Sequence, residues 1–241
     1  MVDLPSKENK EKFVHDMFNS IARRYDLMNT LISLGLDKSW RRFTVRRSEL
    51  ITGGHGLDVC CGTGMLTLEQ ARIAGPTGII VGLDFSENML EVAKNNIKDS
   101  GFSENIRLIQ GNAMELPFED STFDCATVSW GLRNVPDILT VVREMTRVVK
   151  PGSKVVSLDM AQPSAPIFKQ FYWLCFEKLI PGLGKLWANN KGAYTYLHDS
   201  ARVFPHQEQL ARMFSQAGLV ETEYHNLAGG VVAVVEGRKP L

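Results

Sequence analysis

The feature that most constrains this chain is a change of hydrophobic period at Gly56. From there to Met160 short apolar runs alternate with amphipathic stretches. Leu57 to Cys60, Ile79 to Leu83, Ile106 to Ile109, Phe123 to Trp130 and Val155 to Met160 read as strands. Met65 to Ala74, Glu87 to Lys98 and a run from Pro136 to Val149 read as helices between them. Lys150-Pro151-Gly152 reads as a stop to the last helix. Strictly alternating strands and helices predict an α/β fold with a parallel sheet covered on both faces and right-handed crossovers.

The flanks break this rhythm. Residues 1–12 are polar and read as a solvated, frayed start. Residues 13–51 read as two or three helical pieces, interrupted at Asp26 and Asn29 and broken at Gly35, with a second helix from about Ser39. Residues 163–203 open with Pro163 and Pro166 and carry a dense aromatic run, Phe168 to Leu179. Such a run is usually core, yet it also suits a lid over an apolar pocket. A helix from Glu208 to Ala217 restores the pattern. Two strands, Leu219 to Leu227 and Val231 to Glu236, then join at Ala228-Gly229-Gly230 as a terminal antiparallel hairpin. The expected organisation is one structural domain. It comprises a helical cap (1–51), a cofactor-binding core (52–162), a helical insertion or lid (163–203) and a closing helix and hairpin (204–241).

Charge removes one class of function. Lys plus Arg and Asp plus Glu are 27 each, giving a net charge of zero, so a generalised nucleic-acid binder is not expected. Arg41, Arg42, Arg46 and Arg47 read as a solvated helix face, with lipid head groups as an alternative partner. Cys60, Cys61, Cys125 and Cys175 have no zinc-site or disulfide spacing, so buried reduced thiols and no metal are expected. The polar start lacks the apolar core of a signal peptide, and no apolar run reaches the ~20 residues of a membrane span. A cytoplasmic protein is expected, with peripheral contact at the inner membrane face left open, as is a homo-oligomer.

The chemistry-bearing residues cluster at strand ends. Asp58 lies in the first strand, and Gly62-Thr63-Gly64 turns from that strand into a helix. Gly62 and Gly64 permit close approach of backbone to ligand, and the helix N-terminus favours an anionic group. Asp84 ends the second strand, where a carboxylate can grip ribose hydroxyls. A nicotinamide dinucleotide would use similar geometry, but its fingerprint wants a third glycine where Thr67 stands. The closing hairpin also departs from an all-parallel dinucleotide sheet.

Gly111-Asn112-Ala113-Met114-Glu115-Leu116-Pro117-Phe118 follows the third strand. With Asp58, Gly62-Thr63-Gly64 and Asp84, it resembles the class I S-adenosylmethionine-dependent methyltransferases from Gly56 to about Met160. A narrower resemblance covers nearly the whole chain. Tyr25-Asp26-Leu27-Met28-Asn29, Ser33, Trp40-Arg41, Gly131-Leu132-Arg133-Asn134-Val135, Arg147 to Gly152 and Tyr194-Thr195-Tyr196-Leu197 with Ser200 and Phe204-Pro205 look like the quinone-biosynthesis C-methyltransferases of the demethylmenaquinone and ubiquinone type. The chain departs from that pattern at Asp37, Ser153, Asp159 and Ala161.

The resemblance implies a Rossmann-like seven-stranded sheet with a terminal antiparallel hairpin. It implies S-adenosylmethionine as methyl donor and a polyprenylated quinol as acceptor, most specifically demethylmenaquinol. It assigns Thr63, Asp84, Asn112, Ala113 and Ser129 as cofactor contacts. Asp58 and Gly62 are added on physical grounds. Carbon methylation needs an electron-rich ring, so a hydroxyl must approach ionisation, and a phenol titrates near ~10 unaided. Arg133 can stabilise a phenolate but is a poor base because it stays protonated. Asn134 and Tyr25 can orient a hydroxyl or water. His198, beside Asp199, is the generic base candidate, against the plain alternative of a surface histidine. Arg133 has its own plain alternative, a salt bridge to a sheet-edge acid. Competing functions are methylation of a ubiquinone precursor or another small apolar acceptor, a dinucleotide oxidoreductase, and a non-catalytic adenosylmethionine-binding subunit.

Overall fold

The computed structural model describes residues 7–163, 196 and 199–241. A seven-stranded sheet runs in the order β3-β2-β1-β4-β5-β7-β6. Its strands are β1 (His55–Val59), β2 (Ile79–Asp84), β3 (Ile106–Gln110), β4 (Phe123–Ser129), β5 (Val149–Met160), β6 (Val220–Leu227) and β7 (Val232–Arg238). Pairing from β3 through β5 is parallel. β7 enters antiparallel between β5 and β6. The helices are α1 (Lys7–Ile32), α2 (Asp37–Arg47), α3 (Met65–Ala74), α4 (Glu87–Lys98), α5 (Ile138–Val148) and α6 (Gln207–Gln216). The mixed sheet with its antiparallel hairpin is the one expected.

The core is two-sided. On one face Leu57, Val59, Val128, Val141, Met145 and Phe214 pack from β1, β4, α5 and α6. On the other Ala71, Ala74, Ile80, Ala93 and Ile97 pack from α3, β2 and α4. Local chemistry marks the helix starts. Ser86 caps α4 by accepting the Met89 amide at 3.2 Å, and Asp137 caps α5 by accepting the Thr140 amide at 3.0 Å.

Several boundaries differ from expectation. α1 begins at Lys7, inside the stretch expected to fray, and runs unbroken through Asp26 and Asn29. Asp26 is held there because its carboxylate accepts from Thr63 Oγ1 at 2.7 Å and Asn96 Nδ2 at 3.4 Å. α2 starts at Asp37. It lies against α3 and β5, with Trp40 packed on the cluster of β5 and β7. Arg41 is no solvated residue: it is buried, with Nη1 2.9 Å from Asp37. Arg47 is anchored to Glu236 and Glu223, leaving Arg42 and Arg46 exposed. β5 starts directly after α5, at Val149 opposite Phe123, and pairing resumes at Lys154 opposite Cys125. The Pro151-Gly152 step bulges between them, with Gly152 at φ +79°. The aromatic run Phe168 to Leu179, Cys175 and His198 lie outside the described residues.

Candidate active site

Strand order reverses between β1 and β4, so their carboxyl ends open a crevice. Gly62, Leu83, Asp84, Gly111, Asn112, Ala113, Ser129, Trp130, Gly131 and Asn134 line it from the strand ends. The backbone is strained at two of these ends, for Cys60 has φ +54° and Trp130 φ +59°. The two turns are pressed together there. A Cβ on Gly131 would meet the Cys60 Cβ at 2.7 Å, so glycine is required. At Gly62, φ is +53° and a Cβ would meet nothing within 4 Å, because that backbone faces open crevice.

Asp84 is fixed from both sides. Its Oδ2 accepts the Gly62 amide at 2.8 Å and its Oδ1 the Ser86 amide at 2.9 Å. Burial raises its pKa against these bonds. Each carboxylate oxygen retains a lone pair for a ligand hydroxyl. Asn112 accepts the Met114 amide at 2.9 Å and donates to Glu11 at 3.3 Å.

Five of the seven residues expected to hold a cofactor line the crevice: Gly62, Asp84, Asn112, Ala113 and Ser129. Asp58 and Thr63 do not. Asp58 is fully buried behind the turn, accepting from Thr67 Oγ1 at 2.7 Å and Thr127 Oγ1 at 3.2 Å. Burial pushes its carboxyl up to about 7. Thr67, where a dinucleotide site would want glycine, is thus the latch of Asp58. Thr63 is 2% exposed and spends its hydroxyl on Asp26. Cys60 lines the crevice, but burial and then the charge of Asp84 keep its thiol protonated.

Sequence reasoning named Tyr25 but not the rest of the outer wall. Glu11, Val14, Phe18 and Tyr25 of α1 close the crevice. The helix makes a polar contact to each loop that follows a crevice strand. Lys10 Nζ donates to the Arg133 and Val135 carbonyls at 3.1 and 2.8 Å, and Glu11 meets Asn112. Asn19 Oδ1 accepts from Ser86 Oγ at 2.6 Å, and Asp26 accepts from Thr63. A signal existed, since Phe13, Met17, Phe18 and Ile21 repeat at helical spacing, but nothing local says what their helix covers.

A second cavity of about 960 Å³ adjoins the first. Phe18, Tyr25 and Asn134 line both, while Met17, Ile21, Met28, Ile32, Arg133 and Tyr196 line only the second. Arg133 donates from Nη1 to Asp159 Oδ1 at 2.8 Å and to the Trp130 carbonyl at 3.1 Å. Asn134 Nδ2 donates to the same carbonyl at 2.8 Å. Burial works against the Arg133 charge, but the charge and hydrogen bond of Asp159, with the Tyr25 and Tyr196 phenols nearby, outweigh it and raise the pKa. Burial likewise raises the Tyr25 phenol, against the pull of Arg133. Arg133, Asn134 and Tyr25 therefore stand together in the wall of the second cavity.

Among the described residues, seven buried side-chain polar atoms make no hydrogen bond. Five belong to residues that line these cavities: Asn29 Nδ2, Trp130 Nε1, Arg133 Nε, Asn134 Oδ1 and Tyr196 Oη. Native proteins leave few such atoms unpaired, so their concentration marks a ligand site.

The model of the ubiE/COQ5 methyltransferase family matches residues 6–239. The chain belongs to that family. It is 58% identical to the demethylmenaquinone methyltransferase of Desulfitobacterium hafniense over 98% of this chain and 93% of that one. It is 49% identical to the enzyme of that name from Bacillus subtilis, over 97% and 100%. A crystal structure of a SAM-dependent methyltransferase from Aquifex aeolicus shares the fold, with a TM-score of 0.61 at 16% identity over 82% of this chain and 88% of that one. As a family member the chain is a methyltransferase, and a dinucleotide oxidoreductase is set aside. No helix among the described residues is long and apolar enough to cross a membrane.

Proposed function

We propose that the chain transfers the methyl group of S-adenosylmethionine to a ring carbon of a reduced, polyprenylated demethylmenaquinone. The observation that carries the reading is the pair of joined cavities, one ending on Asp84 and the other on Arg133. The crevice residues fit the donor. Asp84 would take the ribose hydroxyls, the Asn112–Ala113 turn the adenine, and the open backbone at Gly62 with Ser129 the amino-acid end. Bound there, the donor supplies an electrophilic methyl group on a sulfonium sulfur.

The chain's own residues prepare the acceptor. Arg133 holds a fixed positive charge at the second cavity and favours the ionised form of a ring hydroxyl beside it. Asp159 braces the guanidinium through Nη1 and leaves Nε uncommitted. Tyr25 keeps its proton, so it donates rather than acts as a base. Asn134 offers an unpaired carbonyl oxygen to a hydroxyl. Proton removal falls to water or to a group outside the described residues, of which His198 is the candidate. Met17, Ile21, Met28 and Ile32 give the second cavity an apolar stretch for an isoprenoid tail. A substrate with such a tail resides in lipid, so the protein would meet a membrane surface to collect it.

The test is incubation with methyl-labelled donor and reduced demethylmenaquinone. Label should enter the naphthalene ring. Label entering only a ubiquinone precursor would replace the acceptor, and label entering neither lipid would end the proposal.

A further inference from the structure

Tyr196 is not needed for anything above, yet it sits in the wall of the acceptor cavity with Arg133, Tyr25 and Asn134. It is 4% exposed. Packing explains its ring, which lies against Phe13 with centroids 5.4 Å apart. Packing does not explain its hydroxyl, which no hydrogen bond reaches. Arg133 Nε, in the same wall, is in the same condition. Both residues line the same cavity, and the Arg133 charge reaches the Tyr196 phenol. A buried hydroxyl without a partner carries a desolvation penalty that phenylalanine would not. Two unpaired buried donors, on residues that line one cavity, therefore mark the place of an oxygen that arrives with a ligand.

We propose that the Tyr196 hydroxyl and the Arg133 Nε–H form an oxygen-binding pair, both donating to one ring oxygen of an aromatic oxyanion. The guanidinium has no acceptor to offer, so the oxygen must accept from both groups, and negative charge strengthens both bonds. Burial pushes the Tyr196 phenol up to about 12, so it remains a donor throughout the neutral range. The pair would hold the quinol's ionised oxygen and set which ring carbon faces the donor cavity. This rests on the quinol reading above for its natural ligand, but not for its chemistry.

Tyr196→Phe deletes the hydroxyl and keeps the ring. The probe is 2-hydroxy-1,4-naphthoquinone, whose ring hydroxyl is ionised at neutral pH, followed by quenching of tryptophan fluorescence. Its affinity should fall about 10- to 100-fold, the scale of a hydrogen bond to a charged group. Arg133→Lys, which removes Nε but keeps a charge, should weaken the same probe. The thermal midpoint of the free Tyr196→Phe protein should hold or rise by about 2 °C, because an unpaired polar group has been removed. Binding of adenosylhomocysteine should not change. Unchanged probe affinity overturns the proposal. So does a midpoint lowered by several degrees, which would make the hydroxyl structural, or an equal loss of adenosylhomocysteine binding, which would place it in the donor crevice. If the wild-type protein fails to methylate reduced demethylmenaquinone while Tyr196→Phe still weakens the probe, the acceptor assignment falls and the oxygen-binding pair stands.

Discussion

Two buried ionic groups in this chain look alike in outline and differ in completeness. Toward the β6 edge of the sheet, Glu236 of β7 is 1% exposed and accepts from Lys154 Nζ at 2.7 Å and from Arg47 Nε at 2.6 Å. Lys154 also meets Glu49, and Arg238 ties Glu49 to Glu221. Burial works against the Glu236 charge, yet the bonds from Arg47 and Lys154 win and lower its pKa. At the crevice, Arg133 and Asp159 are just as deeply buried. There, however, the Arg133 Nε, the Asn134 carbonyl oxygen and the Trp130 indole N–H stay unpaired. The first group leaves one orphan, His225 Nε2, 3.6 Å from Glu236, and locks α2 to β7. The second keeps donors and acceptors in reserve. Burial and charge alone do not separate a structural cluster from a functional one; the concentration of unspent hydrogen-bonding capacity does, three atoms at the crevice against one at the edge.

The sharpest way to break the contrast is at Arg133. Arg133→Ala should lower kcat on the order of 10²- to 10³-fold, the scale of a lost electrostatic stabiliser, with adenosylhomocysteine affinity unchanged by calorimetry. Equal losses in both would move Arg133 into the donor crevice and erase the distinction. Glu236→Ala should behave in reverse. Leaving Lys154 and Arg47 without their shared anion should cost about 3 kcal/mol in urea unfolding, with kcat/KM within about twofold of wild type. A large catalytic loss at full stability would show that the edge network is not merely structural.

Asp58 tests the same idea in the core, where a carboxylate is held by two hydroxyls and the Thr67 backbone rather than by a cation. Its folded pKa of about 7 lies above its unfolded value. The folded state therefore keeps a proton that the unfolded state releases between about pH 4 and 7. Stability drawn from this group falls as pH rises through that window and is flat beyond it. Asp58→Asn cannot titrate, so its stability relative to wild type should climb from pH 4.5 to pH 8. A constant difference across denaturation curves would show that the carboxylate is ionised throughout. The smallest effect belongs to the outer arm of the edge network. Glu221 is 69% exposed at its side chain, so Glu221→Ala should change unfolding by less than about 0.5 kcal/mol. A larger loss would mean that the network stabilises as a unit.

What is legible in the sequence follows from range. The turn at Gly62, the acid at Asp84 and the Asn112–Ala113 step each depend on neighbours within a few residues, so local pattern alone points to them. Arg41 misleads because four arginines in one short helix look solvated. The answer lies one turn away, since Asp37 stands four residues before it. Thr63 and Asp58 stay out of the crevice lining for another reason. Their positions are right, but their hydrogen-bonding groups are committed to Asp26, Thr67 and Thr127. The wall built by α1 is legible only in its helical period and in Tyr25; its docking is not, because Lys10 meets Val135 and Asn19 meets Ser86 across stretches of chain that no local pattern spans.

Phe18 and Tyr25 belong to both cavities at once. They act as a party wall, so neither room can be remodelled through them without disturbing its neighbour. Trimming Phe18 to admit a bulkier ring would also loosen the donor side. Alterations meant to change acceptor preference alone belong at Met17, Met28 or Ile32, which face only the tail side of that wall.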